Sequence, residues 1–158
     1  GDGVNQIISS KKVFNKNGFT IGYTTSFRMG QILEHYWPDI YIDPALELES
    51  EIVTKVVPAI RKVLKEHGYI KIDNNREESG SFLLGFNNKI FNIDSDLQAT
   101  PIQNYSAAGS GEEIALGSLF TSNKLGLNGE DAVLHALEAA SLHNFAVRPP
   151  FTVIKNSS

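Results

Sequence analysis

The chemistry-bearing residues of this chain gather at Gly109-Ser110-Gly111, inside the stretch from Asn104 to Ser118. Two glycines around a serine, followed by Glu112-Glu113 and an apolar run, are expected to turn the chain from strand into helix. The first N–H groups of a helix have no partner within it, so such a corner attracts negative charge, including the oxyanion of an acyl-transfer transition state. A second reading stands beside this one. Ser110 and Glu113 lie three apart and form the pattern of a capping box, which does no more than start a helix. Lys12, in Lys11-Lys12-Val13-Phe14, is the other residue of interest: an ammonium beside a hydroxyl or amine favours its deprotonated form. On its own it reads equally as one of two lysines on a solvated strand. Thr24, Thr25 and Ser26 are polar residues at the expected end of a strand; threonines are good strand formers and serine caps helices.

Composition narrows the classes. The 158 residues suit one domain spanning the whole chain, 1–158, long enough to bury a core. A hydrophobic fraction of 41% and a charged fraction of 20% are ordinary for a soluble globular protein. The formal charge of −4 gives no basic footprint and argues against nucleic acid as a partner. With no cysteine, disulfides, thiolate metal sites and a cysteine nucleophile within these residues are excluded, which suits a cytoplasmic setting. No apolar run is long enough for a bilayer, so no membrane partner is expected. The four histidines have no metal-ligand spacing; no P-loop, dinucleotide fingerprint or G-x-S-x-G elbow is present, and neither metal nor cofactor is expected. The chain opens on Gly1-Asp2-Gly3 rather than on methionine, from which processing or truncation is expected.

The elements that must position these residues follow from periodicity. Ile7-Ile8 and Val13-Phe14 read as extended, Asn15 to Gly18 as a turn, and Phe19 to Thr25 as a strand. Ser26 is expected to cap a helix from Phe27 to Trp37, with Ile32, Leu33, Tyr36 and Trp37 as its apolar stripe. A longer helix is predicted from Glu47 to His67, kinked or split at Pro58 and stopped by Gly68. Glu47, Glu49 and Glu51 read as solvated charge, and Asp73 to Gly80 as a polar, mobile segment. Phe82–Phe86 and Ile90–Ile93 form the clearest hairpin. A helix runs from the Gly109 corner to Asn123. Another, capped by Asn128, carries Ala132, Val133, Ala136, Leu137 and Ala140 inward. Phe151–Ile154 is expected as a closing strand. Strands grouped apart from paired helices predict an α+β fold with mainly antiparallel sheets, arranged as a four-layer αββα sandwich.

Taken in order, these stretches resemble the N-terminal-nucleophile hydrolases, in particular proteasome β-subunits and the bacterial two-component peptidase related to them. Gly1-Asp2-Gly3 resembles the strand end that bears an acidic residue in that family. Lys11-Lys12-Val13-Phe14 resembles its lysine-bearing strand, and Phe19 to Ser26 the strand leading into its first helix. Phe82 through Asp96 to Gly109-Ser110-Gly111 resembles its second hairpin and the turn near the active site. The resemblance implies a threonine-type peptidase whose nucleophile is the N-terminal residue of the mature chain. That residue would lie on a strand ahead of Gly1, about fifteen residues at usual strand lengths. It further implies roles for Asp2, Lys12 and Ser110 in catalysis, and for Thr24, Thr25, Ser26, Gly109 and Gly111 in binding the oxyanion and substrate. Lys12 would be a buried ammonium held by Asp2. Thr25 departs from the glycine usual at the oxyanion position, and Phe145 and Arg148 depart from the acidic residue and serine of the proteasome branch. Unfolded polypeptide or peptide is the implied substrate and a homo-oligomeric ring the implied assembly, with an ATP-dependent unfoldase as a partner to be tested. Two other readings remain open: an inactive structural or interaction protein of the same fold, and a hydrolase of small-molecule amides.

Overall fold

Two asparagine turns organise the sheet. In the computed structural model, which describes residues 12–24, 26–73, 76–144, 147, 149 and 151–154, β1 (Val13–Lys16) and β2 (Phe19–Tyr23) are joined through Asn17 and Gly18. Both turn residues have positive φ, 49° and 84°. Asn87 (48°) and Asn88 (64°) do the same between β5 (Phe82–Phe86) and β6 (Lys89–Ile93). Positive φ at both loop positions gives the turn whose twist matches that of the strands, and asparagine and glycine tolerate it best. With β7 (Ala99–Ile102), these strands form one antiparallel sheet in the order β1-β2-β5-β6-β7. β7 was not expected, because Pro101 interrupts its pattern; the outermost strand tolerates a proline because one side of it needs no donors.

Register places Phe14, Ile21, Leu84 and Phe91 in one row, and Tyr23, Phe82 and Ile93 in the next. This face packs on α1 (Phe27–His35) through Met29, Ile32 and Leu33, and on α3 (Val57–Glu66) through Ile60 and Leu64. The opposite face, with Val13, Leu83, Ile90 and Ile102 among Thr20, Gly22, Gly85 and Asn92, is only half-buried. A second, smaller core joins α4 (Glu112–Lys124) to α5 (Gly129–His143) through Leu119, Ala132 and Ala136. The α+β class and the antiparallel sheet are as expected. Among the described residues the remaining strands are the short pair β3 (Lys71–Asp73) and β4 (Arg76–Glu78), not a second sheet of comparable size.

Several local expectations hold. The Ser26 hydroxyl accepts the Met29 N–H at 3.2 Å, Asn128 accepts the Asp131 N–H at 2.9 Å, and Gly68 ends α3 with φ 70°. Pro58 neither breaks nor sharply ends its helix. Short α2 (Leu48–Glu51) runs into a π-helical turn, Ile52–Val56, and on into α3. The Val57 N–H reaches back five residues to the Ile52 carbonyl. Proline has no N–H and crowds the carbonyl four residues before it, so widening the turn accommodates both demands.

Other expectations need correction. The helix from Phe27 ends at His35, and Tyr36 is 54% exposed. The segment expected to be mobile after Asp73 contains β4, and Phe151–Ile154 forms no strand among the described residues. Val133 is exposed because α5 meets α4 along its alanine row instead.

Glu51 is buried rather than solvated. Its Oε2 accepts from Lys55 Nζ at 2.6 Å and from the Asp43 N–H at 3.0 Å, fastening the Pro38–Pro44 connection to the helix. The Lys55 hydrogen bond, then the Asp43 N–H, hold the carboxyl below its ordinary value of 4.5. A lowered folded-state value stabilises the fold above the unfolded value, and the contribution is lost as pH falls through the folded one. Urea unfolding from pH 7 down to pH 3 should therefore show Glu51→Gln less stable than the parent near neutrality, with the two converging in acid. A gap that stays constant with pH would contradict this role.

Candidate active site

Three separated segments meet where β2 ends. The Tyr23 N–H donates to the Lys12 carbonyl at 2.9 Å, so Lys12 lies alongside the last residue of β2. Thr24 follows, and its carbonyl accepts the Ser26 N–H at 2.7 Å, drawing the chain tightly into α1. The third segment is the glycine corner. A β-carbon placed on Gly109 would lie 3.2 Å from Thr24 Oγ1, and Gly109 has φ 111°, a conformation that side chains resist. Gly111 is buried; a β-carbon there would lie 2.9 Å from Val147 Cγ2 and 3.1 Å from Ala140 Cβ. The first glycine thus admits Thr24, and the second admits α5.

Thr24 and Gly109 are brought together, with Gly111 two residues on and Ser26 at the adjoining helix start. Ser110 is exposed on the corner, and its carbonyl accepts from Asn144 Nδ2 at 3.0 Å. The capping box is not formed: Gly111 occupies the N-cap of α4, without a side-chain cap. The first N–H of the helix, that of Glu112, is taken by the Gly109 carbonyl at 3.1 Å, and Glu112 and Glu113 set two carboxylates in the same first turn. Lys12 is exposed rather than buried, and its Nζ lies 5.4 Å from the centroid of the Phe27 ring, a cation–π arrangement. No hydrogen bond joins Lys12 to Ser110 among the described residues. Asp2 and Thr25 lie outside the described residues.

Sequence reasoning overlooked Tyr23, Phe27 and Gly30. Tyr23 is buried beneath this corner, 6.3 Å from Phe14 between ring centroids. Burial, then the Glu34 charge, raises its phenol above the ordinary value of 10.0. A signal was present: glycine inside a helical pattern marks a close approach, as Gly30 does in α1. The histidines stay apart, His67 stacked on Tyr36 at 3.9 Å and His135 beside Glu138 at 3.9 Å. No cluster able to hold a metal ion occurs among the described residues. A groove of about 380 Å³ beside Arg28, Gln31, Ile32, His35 and Tyr36 includes none of the corner residues. Among the described residues no helix is long and apolar enough to cross a membrane.

The crowding at Gly111 is directly testable. Gly111→Ala should destabilise the fold by about 1–3 kcal/mol, the usual cost of overpacking. Urea unfolding would measure it; a variant as stable as the parent would mean that α5 does not press on the corner.

No family model matches the chain, and no curated protein matches it in sequence. Solved structures do. The chain is similar to BPH, a bacterial proteasome homologue, of Thiobacillus denitrificans, with 23% identity over 89% of this chain and 75% of that one and a TM-score of 0.72. It is equally similar to that protein in complex with epoxomicin, at 22% identity, the same coverage and a TM-score of 0.73. To eukaryotic HslV from Trypanosoma brucei it shows 17% identity over 89% of this chain and 77% of that one, with a TM-score of 0.57. At these identities the likeness concerns the fold, and the chain has the proteasome-like N-terminal-nucleophile hydrolase fold.

Proposed function

We propose that this chain is the body of a proteasome-like, threonine-type peptidase subunit whose nucleophile precedes Gly1 in the full-length protein. The observation that carries the reading is the convergence of Lys12, Thr24 and the Gly109–Gly111 corner at one strand end, in a fold shared with a protein solved with epoxomicin. The half-buried second face of the sheet supports a strand laid across it. Together with the α4–α5 pair, such strands would complete the four-layer αββα sandwich.

An N-terminal threonine carries nucleophile and base together, because its α-amine accepts the hydroxyl proton. An α-amine titrates at roughly 7.7 to 8.0 when unperturbed, so it is partly free at neutral pH. Lys12, assisted by Asp2, supplies the ammonium that lowers this value further, and Ser110 holds the amine by a hydrogen bond. The hydroxyl oxygen attacks the peptide carbonyl, and the carbonyl oxygen takes the negative charge against the Thr25 N–H. The amine proton then passes to the leaving nitrogen, and water releases the acyl group by the same route. A single oxyanion donor is worth ~10²–10³ in rate. Thr24 and Ser26, with the backbone of Gly109 and Gly111, border the substrate strand. A homo-oligomeric ring in the cytoplasm would restrict such a site to unfolded polypeptide, delivered where needed by an ATP-dependent unfoldase.

The exposed position of the Lys12 ammonium favours one rival, a non-catalytic structural or interaction protein of the same fold. Full-length protein discriminates between them. Under the peptidase reading it hydrolyses unfolded polypeptide, gains the mass of epoxomicin at its N-terminal residue, and loses turnover in Lys12→Ala while its assembly state persists. Undiminished hydrolysis in Lys12→Ala would remove Lys12 from the mechanism. A full-length protein with neither hydrolysis nor adduct would establish the rival.

A further inference from the structure

Gly30 sits inside α1, where glycine costs roughly 0.5–1 kcal/mol relative to alanine. Nothing in a regular helix requires glycine at that position. The Tyr23 ring explains it: a β-carbon on Gly30 would overlap Cζ, Cε1 and Cε2 of that ring. The far end of the ring therefore rests on the bare backbone of α1, and it is 7% exposed. Lys12 is hydrogen-bonded to the main chain of this same residue, and Thr24 is its neighbour in sequence. Phe27, beneath the Lys12 ammonium, lies three residues before Gly30 on α1.

We propose that Tyr23 is the positioning residue of the corner: its ring, seated on Gly30, fixes α1 against the end of β2 and so sets Lys12 over Phe27 and Thr24 against Gly109. This rests on the peptidase reading only for its effect on catalysis; the placement of Lys12 is independent of it. Removing the ring, or adding a methyl group beneath it, separates α1 from the strand end without touching any group that would meet substrate. A tyrosine serving only to fill the core would cost stability and leave the Lys12 ammonium where it is.

The test uses full-length protein whose lysines carry ¹³C-methyl groups by reductive methylation, with the Lys12 signal assigned by its loss in Lys12→Arg. Because Nζ lies 5.4 Å from the Phe27 centroid, the Lys12 methyls should carry a ring-current shift that Phe27→Leu abolishes. Gly30→Ala and Tyr23→Leu should both move the signal toward its position in Phe27→Leu, whereas Tyr23→Phe, which keeps the ring, should leave it in place. Tyr23→Leu inserts no atom under the ring and carries the test if Gly30→Ala fails to fold. In peptide hydrolysis by the unmethylated full-length protein, the same two variants should lower kcat by about a hundredfold, the scale of an ångström-sized misplacement, with KM little changed. A Lys12 signal unmoved in Tyr23→Leu would overturn the proposal whatever happens to turnover. A shifted signal in a protein whose parent form hydrolyses nothing would uphold the positioning role and sink the peptidase reading.

Discussion

Burial of one face of the sheet is the constraint on which the rest of the molecule depends. Phe19, Ile21, Phe82, Leu84 and Ile93 are fully enclosed, and each lies on the side that meets α1 and α3. Slipping any of these strands by one residue would turn its apolar set toward the half-exposed face, so register is fixed by hydrophobic burial. The two asparagine turns agree with that register rather than creating it. Because β2 lies between β1 and β5, its end cannot move without disturbing this core, and Tyr23 and Thr24 inherit that rigidity.

Polar groups are placed at the margins of this core in ways that serve the packing. Glu51 enters the interior only because Lys55 and the Asp43 N–H satisfy the same carboxylate oxygen. Unpaired, a carboxylate taken from water tends to take up a proton. The π-helical turn beginning at the next residue has a related origin, since it absorbs Pro58 without ending the helix. One long helix can therefore carry both a buried carboxylate, paired with an exposed lysine, and a proline, and still present Ile52, Val56, Ile60 and Leu64 to the sheet.

The sequence was most legible where local chemistry and tertiary packing agreed. Asn17-Gly18, Ser26, Gly68 and Asn128 each have one dominant structural use, and each is used that way. Legibility failed where a neighbour distant in sequence decides. Glu51 resembles Glu47 and Glu49 until Asp43 and Lys55 are placed beside it. Ala99–Ile102 contains a proline that only an outermost strand tolerates, and strand order cannot be read from composition. Ser110 matched a capping box, yet Gly111 takes the cap, at a position crowded by Ala140 of α5 and by Val147 beyond its end. At the corner, the two glycines stood out by their type, whereas Thr24 by type alone reads as a strand former. The Tyr23–Gly30 contact that holds them did not stand out, because a tyrosine in a strand and a glycine in a helix carry no mark of belonging together.

Pro101 has an effect on self-association. In β7 its nitrogen faces away from β6, on the side of the sheet that no other described strand occupies. The row of amide donors along that border is therefore interrupted near its middle. A strand from another molecule approaching there would find an acceptor unmet and a pyrrolidine ring in its path. Lateral sheet extension, a route from soluble β-protein to fibril, is thus disfavoured at this border by a single imide nitrogen.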